Sequence, residues 1–194
     1  MGAFYQSIQS ISQKSTLGAY YTPSELLKGI HIPKNKTIID PCCGSGSILI
    51  SILTKAHDHS KIFARDIDEI ALKICFINLV LFFNNKNILS RITRQDMAFV
   101  ENKNLLFDSG KEEFDFIVTN PPWGSKWTKP QKDYLLKLYP ELETTDIFSI
   151  ALYKAMTNPA AEQRGIVGRE EKSPSDFFRF VRGRFLPRQL ARRD

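Results

Sequence analysis

Cysteine is scarce in this sequence, with three residues in 194, two of them adjacent. An odd number of cysteines without a paired Cys-X-X-Cys spacing builds neither a disulfide framework nor a zinc ribbon. The three histidines, His31, His57 and His59, have no partner ligands at metal-binding spacing. We therefore expect reduced thiols, no metal centre and surface positions for all three histidines.

Long apolar runs are also missing. The longest, residues 74–83, is interrupted by Asn78 and reaches about half of the roughly 20 residues that cross a bilayer. The N-terminus lacks the charged and then apolar pattern of a secretory signal. With 42% hydrophobic and 25% charged residues, the chain suits one globular domain, which we expect to be cytoplasmic, without membrane contact.

The excess of positive charge, +6 overall, changes character near residue 158. Before that point there are 15 Lys and 3 Arg; from it onward there are 1 Lys and 8 Arg. We hypothesise that residues 158–194 are foreign to the preceding domain, through a frameshift, a fusion or a truncated gene. The alternative is a native basic extension that faces nucleic acid.

Strand and helix patterns alternate along the chain. Short β-branched or apolar runs predict four strands, and a helix opened by Asp68 is expected to bury Ile70, Ile74, Ile77 and Leu81. Such alternation indicates an α/β fold with a doubly wound, mostly parallel sheet. The predicted strands are 37–40, 61–66, 90–94 and 114–119.

Polar residues follow each of these strands: Asp40, Asp66, Asp96 and Asn120. In doubly wound sheets, ligands bind beyond the carboxyl ends of the strands. This shared position makes the four residues candidates for one site.

The segment after the first strand is Asp40-Pro41-Cys42-Cys43-Gly44-Ser45-Gly46. Gly44 and Gly46 allow a sharp turn and a close approach of the backbone to a ligand. A phosphate-binding loop is excluded because no Gly-Lys-Ser/Thr follows, and the third glycine of the dinucleotide fingerprint is absent.

Asp66 lies about 20 residues beyond the glycines, the spacing at which a carboxylate accepts hydrogen bonds from ribose hydroxyls. We assign Asp66 to a ribose, Ile67 to a face of the cofactor's adenine and Asp68 to a helix N-cap. Asp96, followed by Met97, is the candidate acceptor for an exocyclic amino group of that adenine.

Asn120-Pro121-Pro122-Trp123 carries the chemistry. The two prolines fix the backbone just past a strand. The Asn120 side-chain oxygen and the Pro121 carbonyl can then accept the two hydrogens of a conjugated amine, which turns the nitrogen lone pair towards a sulfonium methyl group. Trp123 offers a flat surface for a base taken out of its stack.

Together these segments resemble the amino-methyltransferase family, and Gly18-Ala19-Tyr20-Tyr21-Thr22-Pro23 resembles an element of its N6-adenine DNA methyltransferases from restriction-modification systems. The resemblance covers residues 16–156 and implies a Rossmann-like fold and S-adenosylmethionine as cofactor. It also implies that Tyr21 and Thr22 help to hold the methionine part of the cofactor. The implied partners are DNA and a specificity or restriction subunit.

The resemblance divides the chain into an N-terminal helical segment (1–36), a partial catalytic domain (37–157) and the Arg-rich tail (158–194). Because the family's sheet has three further strands, we expect it to be incomplete after the fourth. Residues 165–167 would be at most a remnant, the fourth strand would be an edge, and the chain would be poorly soluble alone. RNA guanine-N2 and protein glutamine methylation, or an inactive remnant that binds cofactor, are the alternatives.

Overall fold

The computed structural model describes residue 27 and residues 30–83, 100–106, 113–122, 127–157, 163–166 and 179–181. These residues contain six strands and four α-helices. The strands are β1 (Ile38–Asp40), β2 (Ile62–Asp66), β3 (Val100–Asn102), β4 (Phe116–Thr119), β5 (Gln163–Ile166) and β6 (Arg179–Val181). The helices are α1 (Ser47–Ile52), α2 (Glu69–Phe83), α3 (Lys129–Leu138) and α4 (Ile147–Thr157).

The strands form one sheet in the order β3-β2-β1-β4-β5-β6. All neighbouring pairs are parallel except β5 and β6, which are antiparallel. The order reverses between β1 and β4, which makes this the switch point of the sheet. The predicted α/β class and doubly wound parallel sheet are confirmed.

Both faces of the sheet are covered, as expected from near-continuous apolar strands. On one face Ile38, Ile62 and Phe116 pack with α1 and α2, and Leu27 and Ile32 join the same cluster. On the other face Ile39 and Ile117 pack against α4. Among the described residues, no helix is both long enough and apolar enough to cross a bilayer.

The start of β1 is tied to the start of β4 by Asp115. Its Oδ2 accepts hydrogen bonds from the backbone N–H and the hydroxyl of Thr37, at 2.8 and 2.9 Å, and its Oδ1 lies 3.3 Å from Lys36 Nζ. Burial alone would raise the pKa of Asp115, but these donors outweigh it and lower that pKa. The link aligns β1 with β4, so that their carboxyl ends lie side by side.

The fourth strand is not an edge, contrary to our expectation. β4 pairs along its whole length with β5, and β5 pairs in turn with β6. Strand pairing is made by backbone groups, so it does not require the apolar side-chain pattern on which sequence reasoning relies. Two segments of the Arg-rich tail therefore belong to the sheet, and the predicted break after the fourth strand is wrong.

One of the two strands that pair with β2 is not predicted by the sequence. Predicted residues 90–94 lie outside the described part of the chain, and the strand beside β2 is Val100–Asn102. This strand is only 3 residues long and has no apolar alternation, so the sequence carried no signal for it.

Helix α2 buries a different face from the predicted one. Asp68 Oδ1 accepts from the N–H groups of Ile70 and Ala71, which confirms the N-cap. However, Ile70, Ile77 and Leu81 are exposed, and the buried residues are Ala71, Leu72, Cys75, Phe76, Leu79 and Val80. Since α2 is apolar on all sides, spacing alone did not distinguish its two faces.

His57 corrects a further expectation, because it is buried rather than on the surface. Its Nδ1 accepts from the N–H of Thr54 at 2.9 Å, so Nε2 carries the hydrogen and donates to the carbonyl of Ile32 at 3.1 Å. This ring is a structural link between the α1–β2 connection and the chain entering β1.

Candidate active site

The glycine-rich turn after β1 is held from three sides. The N–H of Cys43 donates to the carbonyl of Arg65 on β2, at 2.9 Å, and the N–H of Gly44 donates to Asp66 Oδ2, at 2.8 Å. From α2, Asn78 Nδ2 donates to the carbonyl of Ser45, at 2.9 Å. The turn is therefore fixed before any ligand arrives.

Glycine is required at the two positions of this turn for different reasons. Both adopt positive φ, +52° at Gly44 and +81° at Gly46, which other residues rarely adopt. A Cβ on Gly46 would lie 2.7 Å from Cys75 Sγ, whereas a Cβ on Gly44 would meet nothing within 4 Å. Gly46 thus allows α1 to approach α2, and Gly44 borders open space of the kind a cofactor needs.

Asp40 ends β1 and is completely buried. Its Oδ1 accepts from the N–H of Cys42 at 3.1 Å, while Oδ2 and the nearby Thr119 Oγ1 have no well-formed hydrogen bond. Burial, helped by the charge of Asp66, raises the pKa of Asp40 to about 7, although the Cys42 N–H and the Thr119 hydroxyl moderate the rise. A buried polar atom without a partner is costly, and a cationic ligand or a proton would complete it.

Asp66 ends β2, next to β1, and both its oxygens accept from backbone groups. Oδ2 accepts from Gly44, and Oδ1 accepts from the N–H of Asp68 at 2.9 Å. Burial raises the pKa of Asp66, and these two N–H groups offset part of the rise. Ile67, the next residue, is 63% exposed, which leaves an apolar surface beside the carboxylate.

The turn that carries Asp66 and Ile67 is held by Asn102, which sequence reasoning missed. Asn102 ends β3, and its Nδ2 donates to the carbonyls of Asp66 and Ile67, at 3.1 and 2.9 Å. An isolated asparagine in a polar stretch gives no signal of such a contact. Asn78, by contrast, had one, because it is the polar residue that interrupts the longest apolar run.

Arg65 is a second residue without a sequence signal. Its buried guanidinium donates from Nε to Glu101 Oε2 at 2.7 Å and lies over the ring of Phe114, 5.6 Å from the centroid. Burial alone would raise the pKa of Glu101, but hydrogen bonds from Arg65 and Lys103 outweigh it and lower that pKa. The pair joins β2 to β3 close to the strand ends.

Asn120 and Pro121 directly follow β4, beside the end of β1. Pro121 is completely buried, and Asn120 and Pro122 are half-buried. Neighbouring strands lie about 4.8 Å apart, so the Asn-Pro-Pro segment begins one strand away from Asp40 and two from Asp66. The structure thus brings Asp40, Asp66 and Asn120 to one end of three adjacent strands.

The remaining predicted site residues lie outside the described part of the chain. They are Tyr21, Thr22, Asp96, Met97 and Trp123. Asp96 precedes β3, and the described residue at the carboxyl end of that strand is Asn102. The roles given to these five residues stay predictions.

The sequence of the chain is also similar to a known family and to known proteins. Residues 2–151 match the model of the N-6 DNA methylase family. Over 159 residues the chain is 30% identical to the type II methyltransferase M.VspI of Vibrio sp. (strain 343), covering 78% of this chain and 36% of that protein. It is also 32% identical over 130 residues to the release factor glutamine methyltransferase of Flavobacterium psychrophilum, covering 66% of this chain and 41% of that one.

Among solved structures, a modification subunit of a type I restriction enzyme from Vibrio vulnificus superposes with a TM-score of 0.54. It is 17% identical and is matched over 86% of this chain and 38% of its own length, which supports the fold alone. This chain thus spans little more than a third of the lengths of M.VspI and of that subunit.

Proposed function

The chain belongs to the N-6 DNA methylase family, and we propose that it transfers a methyl group from S-adenosylmethionine to N6 of adenine in DNA. One observation carries the proposal: the acidic ends of β1 and β2 adjoin the Asn-Pro-Pro segment at the end of β4. This arrangement supports a cofactor site beside an acceptor for an amine at the same end of the sheet.

The residues present fit the cofactor. It supplies an electrophilic methyl group on a sulfonium sulfur when bound. Asp66 retains lone pairs for ribose hydroxyls beside the exposed Ile67, and Gly44 leaves room that a Cβ would occupy. Asp40, with one buried oxygen unpaired, adds negative potential for a cationic ligand. Tyr21, Thr22, Asp96 and Met97 are proposed to complete this part of the site.

The amine side of the site is proposed to work by orientation. An exocyclic adenine nitrogen is a poor nucleophile because its lone pair is delocalised into the ring. The Asn120 amide oxygen and the Pro121 carbonyl would accept its two hydrogens and favour the geometry in which that lone pair is available. The target adenine must leave its stack to reach a buried strand end, and Trp123 would hold the extruded base.

This mechanism needs no covalent enzyme intermediate, and the cysteines agree with that. Burial raises the pKa of the Cys42 thiol well above its ordinary value, and neighbouring Asp40 and Asp66 add to the rise. A thiol becomes a nucleophile as a thiolate, which this environment disfavours. Direct displacement on the base is therefore the better-supported route.

DNA is the proposed substrate because the matched family is one of DNA methylases and M.VspI is a type II methyltransferase. The sequence similarity to a type I restriction enzyme methylase subunit of Mycoplasma pneumoniae, 27% identical over 132 residues, suggests a companion specificity or restriction subunit. The chain is also similar to a release factor glutamine methyltransferase, so a glutamine amide of a protein is the alternative substrate that the experiment must include.

The experiment supplies the chain with tritium-labelled S-adenosylmethionine and offers duplex DNA, transfer RNA and a release factor in separate reactions. We expect label in DNA alone, recovered as N6-methyladenine after digestion. Label in RNA guanine or in the release factor would overturn the choice of substrate. Calorimetric binding of cofactor without transfer to any acceptor would identify an inactive remnant.

A further inference from the structure

Helix α3 is anchored to the chain at both of its ends. Before its start, Trp127 Nε1 donates to the carbonyl of Thr145, at 2.8 Å, two residues before α4 begins. After its end, the Tyr139 hydroxyl donates to the carbonyl of Leu106, four residues beyond β3. Leu135, in the middle of α3, is buried in the cluster that also contains Leu106. One side of α3 is therefore fixed against its neighbours.

The two anchors place α3 along the edge at which the parallel strands end. α4 leads into β5, which is parallel to β4, so α4 begins at the carboxyl edge of the sheet. Leu106 follows the carboxyl end of β3. The 10 residues of α3 span about 15 Å, and the three spacings from β4 to β3 cover about 14 Å. α3 is thus long enough to flank the strand ends that carry Asp40, Asp66 and Asn120.

The exposed side of α3 is basic. Lys129, Lys132 and Lys137 are all exposed, and Asp133 is the one acidic residue of the helix, so α3 has a net charge of +2. Within the described part of the chain, none of the three ammonium groups has a carboxylate partner, whereas the lysines next to β1 and β3 each have one. These three charges are therefore available to an anionic ligand.

Lys129 and Lys132 form the strongest concentration of this charge, and we call them the basic pair. They lie in the first turn of α3, which contains no acidic residue. The helix dipole is positive at that end, so two cations there weaken the helix and add to its potential. Residues three apart are about 5–6 Å from each other on the same side of a helix. The far end of α3, by contrast, is followed by Glu141 and Glu143.

We propose that the basic pair binds phosphates of the DNA strand next to the target adenine. This inference rests on the proposed function, because it takes DNA as the methyl acceptor. Duplex DNA carries one negative charge per about 1.7 Å, and a lysine ammonium on its flexible stem suits a phosphate. A base turned out towards Asn120 keeps its flanking phosphates at the edge of the site, where α3 begins. The contact holds the duplex without reading its sequence.

Fluorescence anisotropy with a labelled duplex of random sequence tests the proposal on the full chain. The double variant Lys129→Gln/Lys132→Gln removes the basic pair. The matched control, Lys34→Gln/Lys55→Gln, removes two exposed charges at the opposite edge of the sheet, in the segments that lead into β1 and β2. At about 0.1 M salt the first variant should bind duplex about 10-fold or more weakly than the wild type, and the control within about 3-fold.

The salt dependence of binding separates phosphate contacts from a general effect of net charge. Each phosphate contact contributes about 0.9 to the slope of log affinity against log salt concentration, so the slope should fall by about 1.8 in the first variant only. Calorimetric titration should give all three proteins the same cofactor affinity, because none of these lysines belongs to the proposed cofactor site.

Three results would overturn the proposal: equal losses of affinity in the two variants, an unchanged salt slope without the basic pair, or no binding of duplex by the wild type. Label transfer distinguishes its failure from that of the proposed function. If the wild type methylates adenine in DNA while the first variant binds duplex as well as the control, only the role of the basic pair is wrong. If the wild type labels a release factor or RNA and not DNA, the proposed function fails, and this inference fails with it.

Discussion

Asp40 is an acid that the fold buries and leaves half-paired, so its charge depends on pH in the neutral range. Its pKa is about 7 in the folded chain, against an ordinary value of 3.8. Between those values the folded chain keeps a proton that the unfolded chain releases, so this group makes stability fall as pH rises from about 4 to about 7.

The first prediction concerns Asp40→Asn. The amide can still accept from Cys42, and its NH2 group can donate towards the Thr119 hydroxyl, without the cost of burying a charge. At pH 8 the free energy of unfolding of the variant should therefore exceed that of the wild type, by up to about 4 kcal/mol. Below pH 4 the two free energies should differ little. Urea unfolding of both proteins at pH 8 and below pH 4 measures this. If the variant and the wild type differed in stability by the same amount at both pH values, the raised pKa of Asp40 would be refuted.

The second prediction concerns Asn102, which positions the turn of Asp66 and Ile67 without being placed against the ligand. Asn102→Ala removes two hydrogen bonds to backbone carbonyls and should weaken cofactor binding about 3- to 10-fold. The methyl-transfer rate at saturating cofactor should be unchanged. Calorimetric titration of the cofactor measures this, with Asn35→Ala, a variant in an exposed loop, as the control. If both variants bind cofactor like the wild type, Asn102 has no positioning role.

The sequence predicted positions at strand ends best where the pattern is local. The positions of Asp40, Asp66 and Asn120 were predicted because each ends or follows a recognisable strand. Asn102 and Arg65 were not found, because their partners are far along the chain and only the pairing of β2 with β3 brings them together. Long-range pairings of this kind leave no pattern in a single sequence.

At the scale of the element, the packing of α1 against α2 depends on Gly46. Gly46→Ala would place a Cβ against Cys75 Sγ in a left-handed backbone conformation, and we expect it to lower the free energy of unfolding by about 2–4 kcal/mol. Gly44→Ala is the matched control: it shares the positive φ but meets open space, so about 1–2 kcal/mol is expected.

The same two glycine variants distinguish a loss of stability from a loss of cofactor affinity. Because Gly44 borders the proposed cofactor space, Gly44→Ala should lose more cofactor affinity than its small stability loss would suggest. Thermal unfolding of both variants measures their stability, and calorimetric titration measures their cofactor affinity. If Gly44→Ala destabilised the chain as strongly as Gly46→Ala, the clash at Cys75 would not be the cause.

The burial of α2 also shows why the spacing of its apolar residues predicted the wrong face. Its residues satisfy a three-and-four spacing on two opposite faces, and the buried face is the one on which Cys75 lies against Gly46 of the neighbouring turn. The predicted face has larger aliphatic side chains but no partner among the described residues.

In the whole molecule, the sheet includes two strands from beyond residue 158. β4 is buried along its length, and β5 supplies the ladder on its outer side. A chain ending at residue 157 should therefore expose this edge and lose about 1 kcal/mol for each ladder bond, with aggregation as a consequence.

The control for this fourth prediction is a chain ending at residue 181, which keeps β5 and β6. Sedimentation and thermal unfolding should find the 1–181 chain close to the full chain and the 1–157 chain aggregated or melting at lower temperature. Equal behaviour of the two truncations would mean that the tail does not complete the sheet. The abrupt change from Lys to Arg near residue 158 could not predict these strands, because composition does not report backbone pairing.

In the proposed mechanism Asn120 accepts hydrogens from the amine and acts on methyl transfer rather than on cofactor binding. The decisive variant is Asn120→Ala, compared with the wild type by calorimetric titration of S-adenosylmethionine and by label transfer to DNA. We expect cofactor affinity within about 2-fold of the wild type and a loss of transfer of about 100-fold or more. Retained transfer, or loss of cofactor binding together with transfer, would refute this role for Asn120.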